Sequence, residues 1–422
     1  MKLGIRQSVL MKALQKGSVA AISDVAEPDA SNATFFSKTI KLTATENKFL
    51  IESNSSLMDV RYSTKVGEDY GIVVKEAGSV ILPAKEFMGW VKIQGDETTI
   101  NLTLSKLDTP EIINSVGGED EDDQFVVRKI GSVTMLSKTN NKTGNKWSLD
   151  CYDPKHVKKV DFGDQGQHHF DLPAKEFANA LKMVSFAVLP HKDPDHILDN
   201  VSIQTYKDGL YFFGTDTKVC AMYKANEVAK KESSDTLLVP FNLIDLVSKT
   251  CDEDDMVSIS HHSANTRIFI KQNDLDVRFV IANKDQTEQF HPVSMLLEKD
   301  FDLLTEVAVA DLRRLLTAAS MVNNSSVLFS FKKDETHMTI KAVSDTNKYK
   351  PNVSQMPIES SVRDLNAVWA VKHFINILKT SPDESIRLAV HEKTSAFKVV
   401  GKTTENFICF GMPIRNPIYA KV

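Results

Sequence analysis

The hexapeptide Leu82-Pro-Ala-Lys-Glu-Phe87 is repeated without change as Leu172-Pro-Ala-Lys-Glu-Phe177. A looser third copy lies at Ala370-Val-Lys-His-Phe374. Continued to Lys92, Lys182 and Lys379, the three segments share the pattern Lys-x-Phe-x-x-apolar-apolar-Lys. A recurring segment of this kind indicates a fold assembled from copies of one structural unit.

The spacing of the repeat predicts a short amphipathic helix. At about 100° per residue, the Phe and the two later apolar positions share one stripe, while the two lysines fall on the opposite side. Pro83 and Pro173 suit the first helical turn, where the missing N–H has no partner to lose. Each copy is therefore expected to bury one face and to present a basic one.

Three further segments have the length and pattern of the same helix, namely Ser8–Gly17, Pro240–Thr250 and Val309–Met321. Alternating, β-branched-rich stretches lie between the helices, for example at 99–104, 257–260 and 385–390. Alternation of this kind is typical of half-buried strands in antiparallel sheets.

Six helices and these strands predict an α+β chain built from three copies of one domain with two helices each. The expected boundaries are 1–165, 166–298 and 299–422. The first copy is longer, and its excess is expected in polar surface loops at 117–123 and 139–146.

Composition excludes several classes of protein. The 42% hydrophobic and 25% charged residues are typical of a globular protein, and no long apolar run or secretion signal is evident. The four cysteines are scattered without a CxxC pair, which argues against zinc or a disulfide framework and favours the cytoplasm. A net charge of −5 means that any DNA-binding charge must be concentrated in one place.

The six predicted helices carry such a concentration. Four acids stand on them, Glu86, Glu176, Asp245 and Asp311, against eleven basic residues. These candidate DNA-binding residues are Lys12, Lys16, Lys85, Lys92, Lys175, Lys182, Lys249, Arg313, Arg314, Lys372 and Lys379. Lysines bind phosphate as flexible point charges without a fixed register, so they suit non-specific contact with a duplex. For any single lysine the alternative is an ordinary solvated helix face.

Beyond the repeats, the chain resembles the β subunit of bacterial DNA polymerase III, the DNA sliding clamp family. The resemblance rests on 170–188, on Leu198-Asp-Asn-Val201 followed by Gly214-Thr-Asp216, and on the closing Met412-Pro-Ile-Arg415. It extends over nearly the whole chain and is weakest in the first domain. It implies a ring of two head-to-tail subunits, with two helices per domain on the inner wall and antiparallel sheets outside.

The resemblance also implies partners and sites. A homodimer would encircle double-stranded DNA and hold the polymerase catalytic subunit and the clamp loader through short peptides, in an apolar cleft between the second and third domains. The matching cleft positions are Leu198, Thr215, Thr217, Lys218, Val219, Cys220, Phe410, Met412, Pro413 and Ile414. Met321 and Val322 match the family's subunit junction, although ordinary core residues at a helix end are the alternative.

Two features depart from the family. The usual Thr-Asp-Gly-His-Arg-Leu is replaced by Thr215-Asp-Thr-Lys-Val-Cys220, which affects peptide specificity. The chain also continues beyond Arg415 to Val422. This tail is expected either to lie near the cleft and modulate access to it, or to be a frayed terminus.

Enzymatic chemistry finds little support in the sequence. Val399-Val-Gly-Lys-Thr-Thr404 resembles the end of a phosphate-binding loop, but Ala396 replaces the required glycine and 407–410 is predicted to be a strand. His191, Asp193, Asp195 and His196 could hold a metal. A metal-dependent nucleic-acid enzyme is therefore the alternative function, and a scaffold that never meets DNA is a third. The leading interpretation is a non-catalytic clamp without cofactor or metal.

Overall fold

The computed structural model describes residues 1–22, 38–55, 58–116, 125–139, 142–156, 162, 167–188, 197–206, 209–226, 236–262, 267–280, 300–346, 348–359, 361, 363–391 and 396–419. Within these ranges the chain forms seven α-helices, which are α1 Gln7–Gly17, α2 Val19–Ile22, α3 Ala84–Lys92, α4 Ala174–Val184, α5 Phe241–Thr250, α6 Val309–Ser320 and α7 Val371–Thr380. The six helices predicted from the sequence are confirmed. The seventh, α2, is a single turn that follows α1.

The strands of the first half of the chain are β1 Lys2–Arg6, β2 Thr39–Ala44, β3 Lys48–Asn54, β4 Met58–Lys65, β5 Ile72–Glu76, β6 Gly78–Pro83, β7 Thr99–Val116, β8 Phe125–Thr139, β9 Lys142–Tyr152, β10 Gln167–Pro173, β11 Asn200–Tyr206 and β12 Gly209–Thr215. Those of the second half are β13 Val219–Lys224, β14 Thr236–Pro240, β15 Met256–His262, β16 Arg267–Gln272, β17 Leu275–Val280, β18 Asp302–Ala308, β19 Ser326–Phe331, β20 His337–Ala342, β21 Asn352–Pro357, β22 Leu365–Ala370, β23 Ser385–Val390, β24 Phe397–Gly401 and β25 Phe407–Gly411.

Each of the six longer helices follows a strand without an intervening loop. The junctions are β1–α1, β6–α3, β10–α4, β14–α5, β18–α6 and β22–α7. Pro83 and Pro173 end their strands and precede the helix, one residue earlier than the sequence predicted. The difference is small because the φ of Pro83, −60°, fits both the strand end and the helix entry, and proline has no N–H to leave unpaired at this point.

The chain forms two compact units, Met1–Ala174 with Leu243–Ile281, and Lys175–Asn242 with Ala282–Val422. The predicted middle domain contributes residues to both. The three-domain division at 165 and 298 stays a prediction.

The first unit is organised around one sheet of thirteen strands, in the order β10-β15-β16-β17-β4-β3-β2-β6-β9-β8-β7-β1-β5. All of its ladders are antiparallel, as the alternating pattern predicted. Helix α1 packs with α3 and buries Leu10 and Leu14. A side chain at Gly17 would collide with Ile51 of β3 at 2.7 Å, so this helix end lies directly on the sheet.

Strands β4 and β17 join distant parts of the chain within this unit. Their register places Arg278 opposite Asp59 and Asp276 opposite Arg61. Both pairs form ion pairs, and the Arg278–Asp59 pair is enclosed, with 6% and 8% of the two side chains exposed. Arg61 also lies over the ring of Phe162, 4.4 Å from its centroid. Opposed charges at fixed positions favour this register over a slipped one.

The second unit contains two sheets. One has eight strands in the order β14-β11-β12-β13-β25-β24-β23-β18, and the other has four in the order β21-β20-β19-β22. Helix α6 packs with α7. The core contains an aromatic cluster in which Trp369 lies 4.8 Å from Phe329 and 4.6 Å from Phe397, with Phe374 4.9 Å from Phe397. Each such ring pair adds about 0.5–1.5 kcal/mol to the stability, beyond the free energy gained from burying the apolar area of the rings.

One predicted loop is wrong. Residues 142–146 form the start of β9 and pair with β8, with Lys142 opposite Thr139 and Lys146 opposite Leu136. Their polar side chains are exposed, so composition suggested a loop, but backbone pairing with β8 decides the structure. The other predicted loop, 117–123, lies outside the described residues.

The C-terminal tail is anchored as far as Tyr419. Asn416 donates a hydrogen bond to the Ser326 hydroxyl at 2.8 Å. The buried Tyr419 hydroxyl donates to the Ser326 carbonyl at 3.1 Å and accepts from the Val343 amide at 3.2 Å. A frayed terminus is therefore wrong for 416–419, whereas an effect of the tail on the cleft stays a prediction.

The substitution Asp59→Ala should strongly destabilise the first unit, because it leaves the Arg278 guanidinium buried without its counter-ion. We expect the free energy of unfolding, measured by urea denaturation, to fall by roughly 3–5 kcal/mol. The matched control is Asp276→Ala, which removes the partner of the one-third-exposed Arg61 and should cost no more than about 1 kcal/mol. Equal losses in the two variants would contradict this assignment.

Candidate DNA-facing surface and partner cleft

The repeated helices have the two faces that the sequence predicted. Phe87, Trp90 and Val91 of α3 are buried, and so are the matching residues Phe177, Ala180 and Leu181 of α4 and Phe374, Ile377 and Leu378 of α7. The basic residues that stand exposed on the longer helices are Lys12, Lys85, Lys92, Lys175, Lys182, Arg313, Arg314, Lys372 and Lys379. Arg314 is partly neutralised by Asp311 of its own helix, at 3.2 Å. The side chain of Lys249 lies outside the described residues.

Lys16 does not belong to this exposed set. Its side chain is 3% exposed, and its ammonium group pairs with Asp252 at 2.8 Å and with Asp274 at 3.8 Å. Lys12, one helical turn earlier and half-exposed, binds the same Asp252 carboxylate at 2.9 Å. The prediction of Lys16 as a DNA contact is corrected, because a buried and paired ammonium has no free face for phosphate.

The acidic turn around Asp252 thus has a structural role that the sequence did not reveal. Burial opposes ionisation of Asp252, but hydrogen bonds from Lys16 and Lys12 outweigh it and lower its pKa. Lys16 also lies over the ring of Tyr62, 5.9 Å from the centroid. Burial, together with the charge of Asp274, raises the pKa of Tyr62 to about 12, so this hydroxyl stays neutral.

The predicted cleft residues from the middle and the end of the chain meet on neighbouring strands. Strand β13 pairs with β25, which places Val219 opposite Gly411 and Cys220 opposite Phe410. The Met412 amide then donates to the Lys218 carbonyl at 2.9 Å. This juxtaposition joins two segments that are almost 200 residues apart in the sequence.

The cleft residues differ in exposure. Val219, Cys220 and Phe410 are buried, while Met412 is 44% exposed. Thr217 and Lys218 are exposed, and Leu198, Thr215, Pro413 and Ile414 are half-buried. The Met412 side chain is therefore the most accessible apolar part of this group.

The β12–β13 turn is held by Asp216. One of its carboxylate oxygens accepts from the Lys218 and Val219 amides at 2.9 and 2.8 Å. The other contacts His373 Nε2 of α7 at 3.0 Å. Burial opposes ionisation of Asp216, but the hydrogen bonds from His373 and the two amides lower its pKa. The carboxylate stabilises a turn in which Thr217, at the position where the family usually has glycine, has a left-handed φ of 73° that is strained for a β-branched residue.

At the end of α6, Met321 is 75% exposed and Val322 is half-buried. The alternative that Met321 is an ordinary core residue is therefore wrong. In the same unit, β21 is an edge strand of the four-stranded sheet, and its Val353 is 58% exposed. An exposed methionine and an edge strand with free backbone groups are features of a surface that can pair with another chain.

The loop that resembles a phosphate-binding site is occupied by an internal carboxylate. Asp383 accepts hydrogen bonds from the amides of Thr403 and Thr404, both at 2.9 Å, and from their hydroxyls at 2.7 and 2.8 Å. A side chain at Gly401 would collide with Asp383, which explains the glycine there. Phe407–Gly411 is a strand, as predicted, so no helix N-terminus is present for a nucleotide phosphate.

Among the described residues the structure has neither a metal-binding cluster nor a membrane-spanning helix. In those ranges no group of three or more His, Cys, Asp or Glu side chains is arranged to hold a metal ion. His191, Asp193, Asp195 and His196 lie outside the described residues. None of the described helices combines the length and the apolar character needed to cross a membrane.

Comparison with known proteins agrees with this architecture. No protein-family model matches the chain. The β sliding clamp of Chlamydia pneumoniae is 22% identical over 352 residues, which cover 81% of this chain and 82% of that protein. Among solved structures, the sliding clamp of Pseudomonas aeruginosa with bound griselimycin has a TM-score of 0.78 at 14% identity, covering 99% of this chain and all of that one. The clamps of Bacillus subtilis and Thermotoga maritima have TM-scores of 0.76 and 0.75 at 16% and 13% identity, and each comparison covers at least 98% of both chains.

These likenesses extend over almost the full chain, so the resemblance inferred from the sequence is confirmed and the α+β fold is that of the DNA polymerase III β clamps. The low identities show that the sequence differs widely from those of these clamps, in line with the altered turn at 215–220.

The Asp383 carboxylate should stabilise the folded state by an amount that depends on pH. Burial opposes its ionisation, but the hydrogen bonds from Thr403 and Thr404 dominate and lower its pKa from 3.8 to about 2. A carboxylate whose pKa is lower in the folded state stabilises the fold at pH values above its unfolded-state pKa. This stabilisation is lost as pH falls from about 4 towards 2. We expect Asp383→Asn to reduce the free energy of unfolding by about 1–2 kcal/mol near neutral pH, a figure that allows for solvent screening.

The measurement is urea denaturation of wild type and variant near neutral pH and at about pH 3. The difference should shrink at the lower pH, because Asp383 is then protonated in the unfolded state of wild type while it is still largely charged in the folded state, which lowers the stability that the charge contributes. Asp334→Asn, at a carboxylate for which no such hydrogen bonds are found among the described residues, is the control and should leave stability nearly unchanged. A difference that grows on acidification would contradict the assignment.

Proposed function

We propose that this chain is a DNA polymerase processivity factor, a ring-shaped sliding clamp that encircles duplex DNA without sequence preference and tethers replication proteins. The observation that carries the proposal is the full-length match to the clamp fold together with exposed basic faces on its repeated helices. These helices carry excess positive charge in a chain whose net charge is −5.

The charge distribution suits a mobile contact with DNA. A duplex carries one negative charge per roughly 1.7 Å of its axis, so exposed lysines meet phosphates in any register. Such contacts fix no sequence position, and the clamp can therefore slide. A closed ring needs little affinity because the duplex cannot leave sideways.

Ring closure would use two copies of the chain, head to tail, with three domains each at 1–165, 166–298 and 299–422. The exposed Met321, with Val322 beside it, and the free edge of β21 support a role for this part of the second unit in the subunit junction. Burying one exposed apolar side chain of this size would contribute about 1.5–3 kcal/mol.

Short peptides of the polymerase catalytic subunit and of the clamp loader would bind in the cleft around Met412. The pairing of β13 with β25, which brings the two sets of cleft residues together, supports this assignment. A methionine adapts its shape to different apolar side chains, as a site with several partners requires. The protein would act in the cytoplasm, as a tether and not as an enzyme.

Topological retention on DNA is the direct test. The protein, loaded on a nicked plasmid with its loader and separated from free protein, should stay bound while the DNA is circular. Cutting the plasmid once should release it, because the ring can then slide off an end. The half-life of the complex, followed by gel filtration, is the measurement.

The control is the same nuclease on a plasmid that lacks its recognition site, where the complex should persist. Equal retention on linear and circular DNA would contradict encirclement and would point to ordinary affinity for the duplex.

The basic helix faces give a second prediction. Replacing Lys85, Lys92, Lys175 and Lys182 together with Gln should weaken binding to a linear duplex and reduce its dependence on salt. If each lysine meets one phosphate, the slope of log affinity against log salt should fall by roughly 3–4. Fluorescence anisotropy of a labelled duplex over a salt series measures both quantities.

The matched control changes the same number of charges on strands. Lys48, Lys65, Lys106 and Lys138 are exposed and stand outside the helices. Their replacement with Gln should have a clearly smaller effect on the slope. The same decrease in affinity and salt slope in both variants would indicate that only the net charge matters. It would contradict the assignment of the helices to the DNA-binding surface.

A further inference from the structure

The second unit contains a cavity that the fold comparison does not explain. It lies on the eight-stranded sheet at half-buried positions of β23, β24 and β25, and its volume is about 400 Å³. This is within the range of roughly 300–1,000 Å³ for small-ligand sites. Its walls are apolar at Phe301, Leu303, Val400 and Ile408. Leu303 is 47% exposed, so the cavity has an accessible apolar side chain on its border.

Two cations stand in this apolar cavity. Arg387 of β23 and Lys398 of β24 both line it. Burial is the main cause of a lowered Lys398 pKa, and the positive charge of Arg387 adds to it. No carboxylate among the described residues forms an ion pair with Lys398. Two like charges in a half-buried position are unfavourable unless an anion joins them.

The Arg387 guanidinium is also under-bonded. Its Nε is enclosed and has no hydrogen-bond acceptor in the part of the chain that the structure describes. Its Nη2 reaches the Gly401 carbonyl at 3.3 Å and Glu405 at 3.4 Å, both at the long end of the hydrogen-bond range. The Glu405 side chain is 80% exposed, so it can leave this weak contact at little cost.

Two residues that line the cavity, Phe301 and Lys398, lie next to Phe410 of the predicted partner cleft. The ring of Phe301 lies 5.5 Å from that of Phe410, and Lys398 lies 5.9 Å from the same ring. Phe410 is followed on the same chain by Met412, the accessible methionine of the cleft. A peptide seated on Met412 could therefore continue into the cavity without crossing another structural element of this sheet.

We propose that this cavity is an acid-binding subsite, in which Arg387 and Lys398 bind a carboxylate of a partner peptide whose neighbouring apolar side chain contacts Phe301 and Ile408. The inference rests on the proposed function, since it adds a charge requirement to the peptides that bind the cleft. Apolar walls beside two cations favour a peptide with an acidic and an apolar residue over a fully hydrated phosphate. Glu405 occupies part of the subsite until the peptide carboxylate displaces it.

The test begins with short random peptides displayed on phage and selected on the immobilised wild-type protein. Selected sequences should contain Asp or Glu at a constant distance from an apolar residue. The best peptide and a twin with Asn or Gln at each acid are then synthesised, and their dissociation constants are measured by fluorescence anisotropy. We expect the acidic peptide to bind wild type about ten-fold more tightly than its twin, with the difference decreasing as salt is raised.

Three variants test whether the preference for the acidic peptide depends on the residues of the proposed subsite. Lys398→Met keeps the length and apolar stem of the side chain, so the fold should be retained while the preference for the acidic peptide falls to about two-fold or less. Arg387→Gln should have the same effect. Glu405→Gln removes the internal competitor, so it should tighten the acidic peptide and leave the twin unchanged. Circular dichroism and thermal unfolding confirm that each variant is folded.

Equal affinity of the two peptides for wild type would overturn the proposal, and so would a preference that persists in both cation variants. Failure to select any peptide would also overturn it. None of these results affects retention on circular DNA, so the subsite can fail while the clamp function stands. Conversely, acidic peptides that depend on Arg387 and Lys398 would support the subsite even if the protein were lost equally from circular and linear DNA.

Discussion

Each of the repeated helices has a single apolar stripe, and the rest of the molecule depends on the burial of that stripe. Phe87, Phe177 and Phe374 are all fully enclosed, and each fixes the rotation of its helix about its own axis. The lysines at the start and end of the same pattern must then face solvent, since they lie on the opposite side. The helical period thus determines both which residues pack in the core and which basic residues are exposed.

Backbone pairing between distant segments supplies the second constraint. The β4–β17 ladder joins residues more than 200 positions apart, and the β13–β25 ladder joins residues almost 200 positions apart. The first ladder carries the buried Arg278–Asp59 pair, and the second brings together the residues of the proposed partner cleft. A buried ion pair is costly to form and more costly to break, so it fixes the register more than it raises the net stability.

Charged residues of the same type have different roles in this protein because of their surroundings. Lys12 and Lys16 are one helical turn apart, yet only Lys12 remains accessible, since Lys16 is enclosed by Asp252 and Asp274. Asp383 fills the only anion-binding turn that the sequence had suggested, with four hydrogen bonds from Thr403 and Thr404. Arg387 and Lys398, by contrast, line one cavity, and the Glu405 carboxylate that also lines it reaches Arg387 through a long contact of 3.4 Å.

Local patterns in the amino-acid sequence were enough to predict the six helices, their buried and basic faces, and the alternating strands, because a period of 3.6 or 2 is visible in any short window. Its resemblance to a known family also identified the fold. The structure was needed to see that residues 142–146 pair as a strand, that Lys16 is buried, that Tyr419 is anchored and that Arg387 and Lys398 line one cavity. Lys16 and Tyr419 depend on partners far away in the chain, whereas residues 142–146 and Lys398 depend on pairing with a neighbouring strand. In each case the free energy of the contact is set by packing and burial, which no local pattern records.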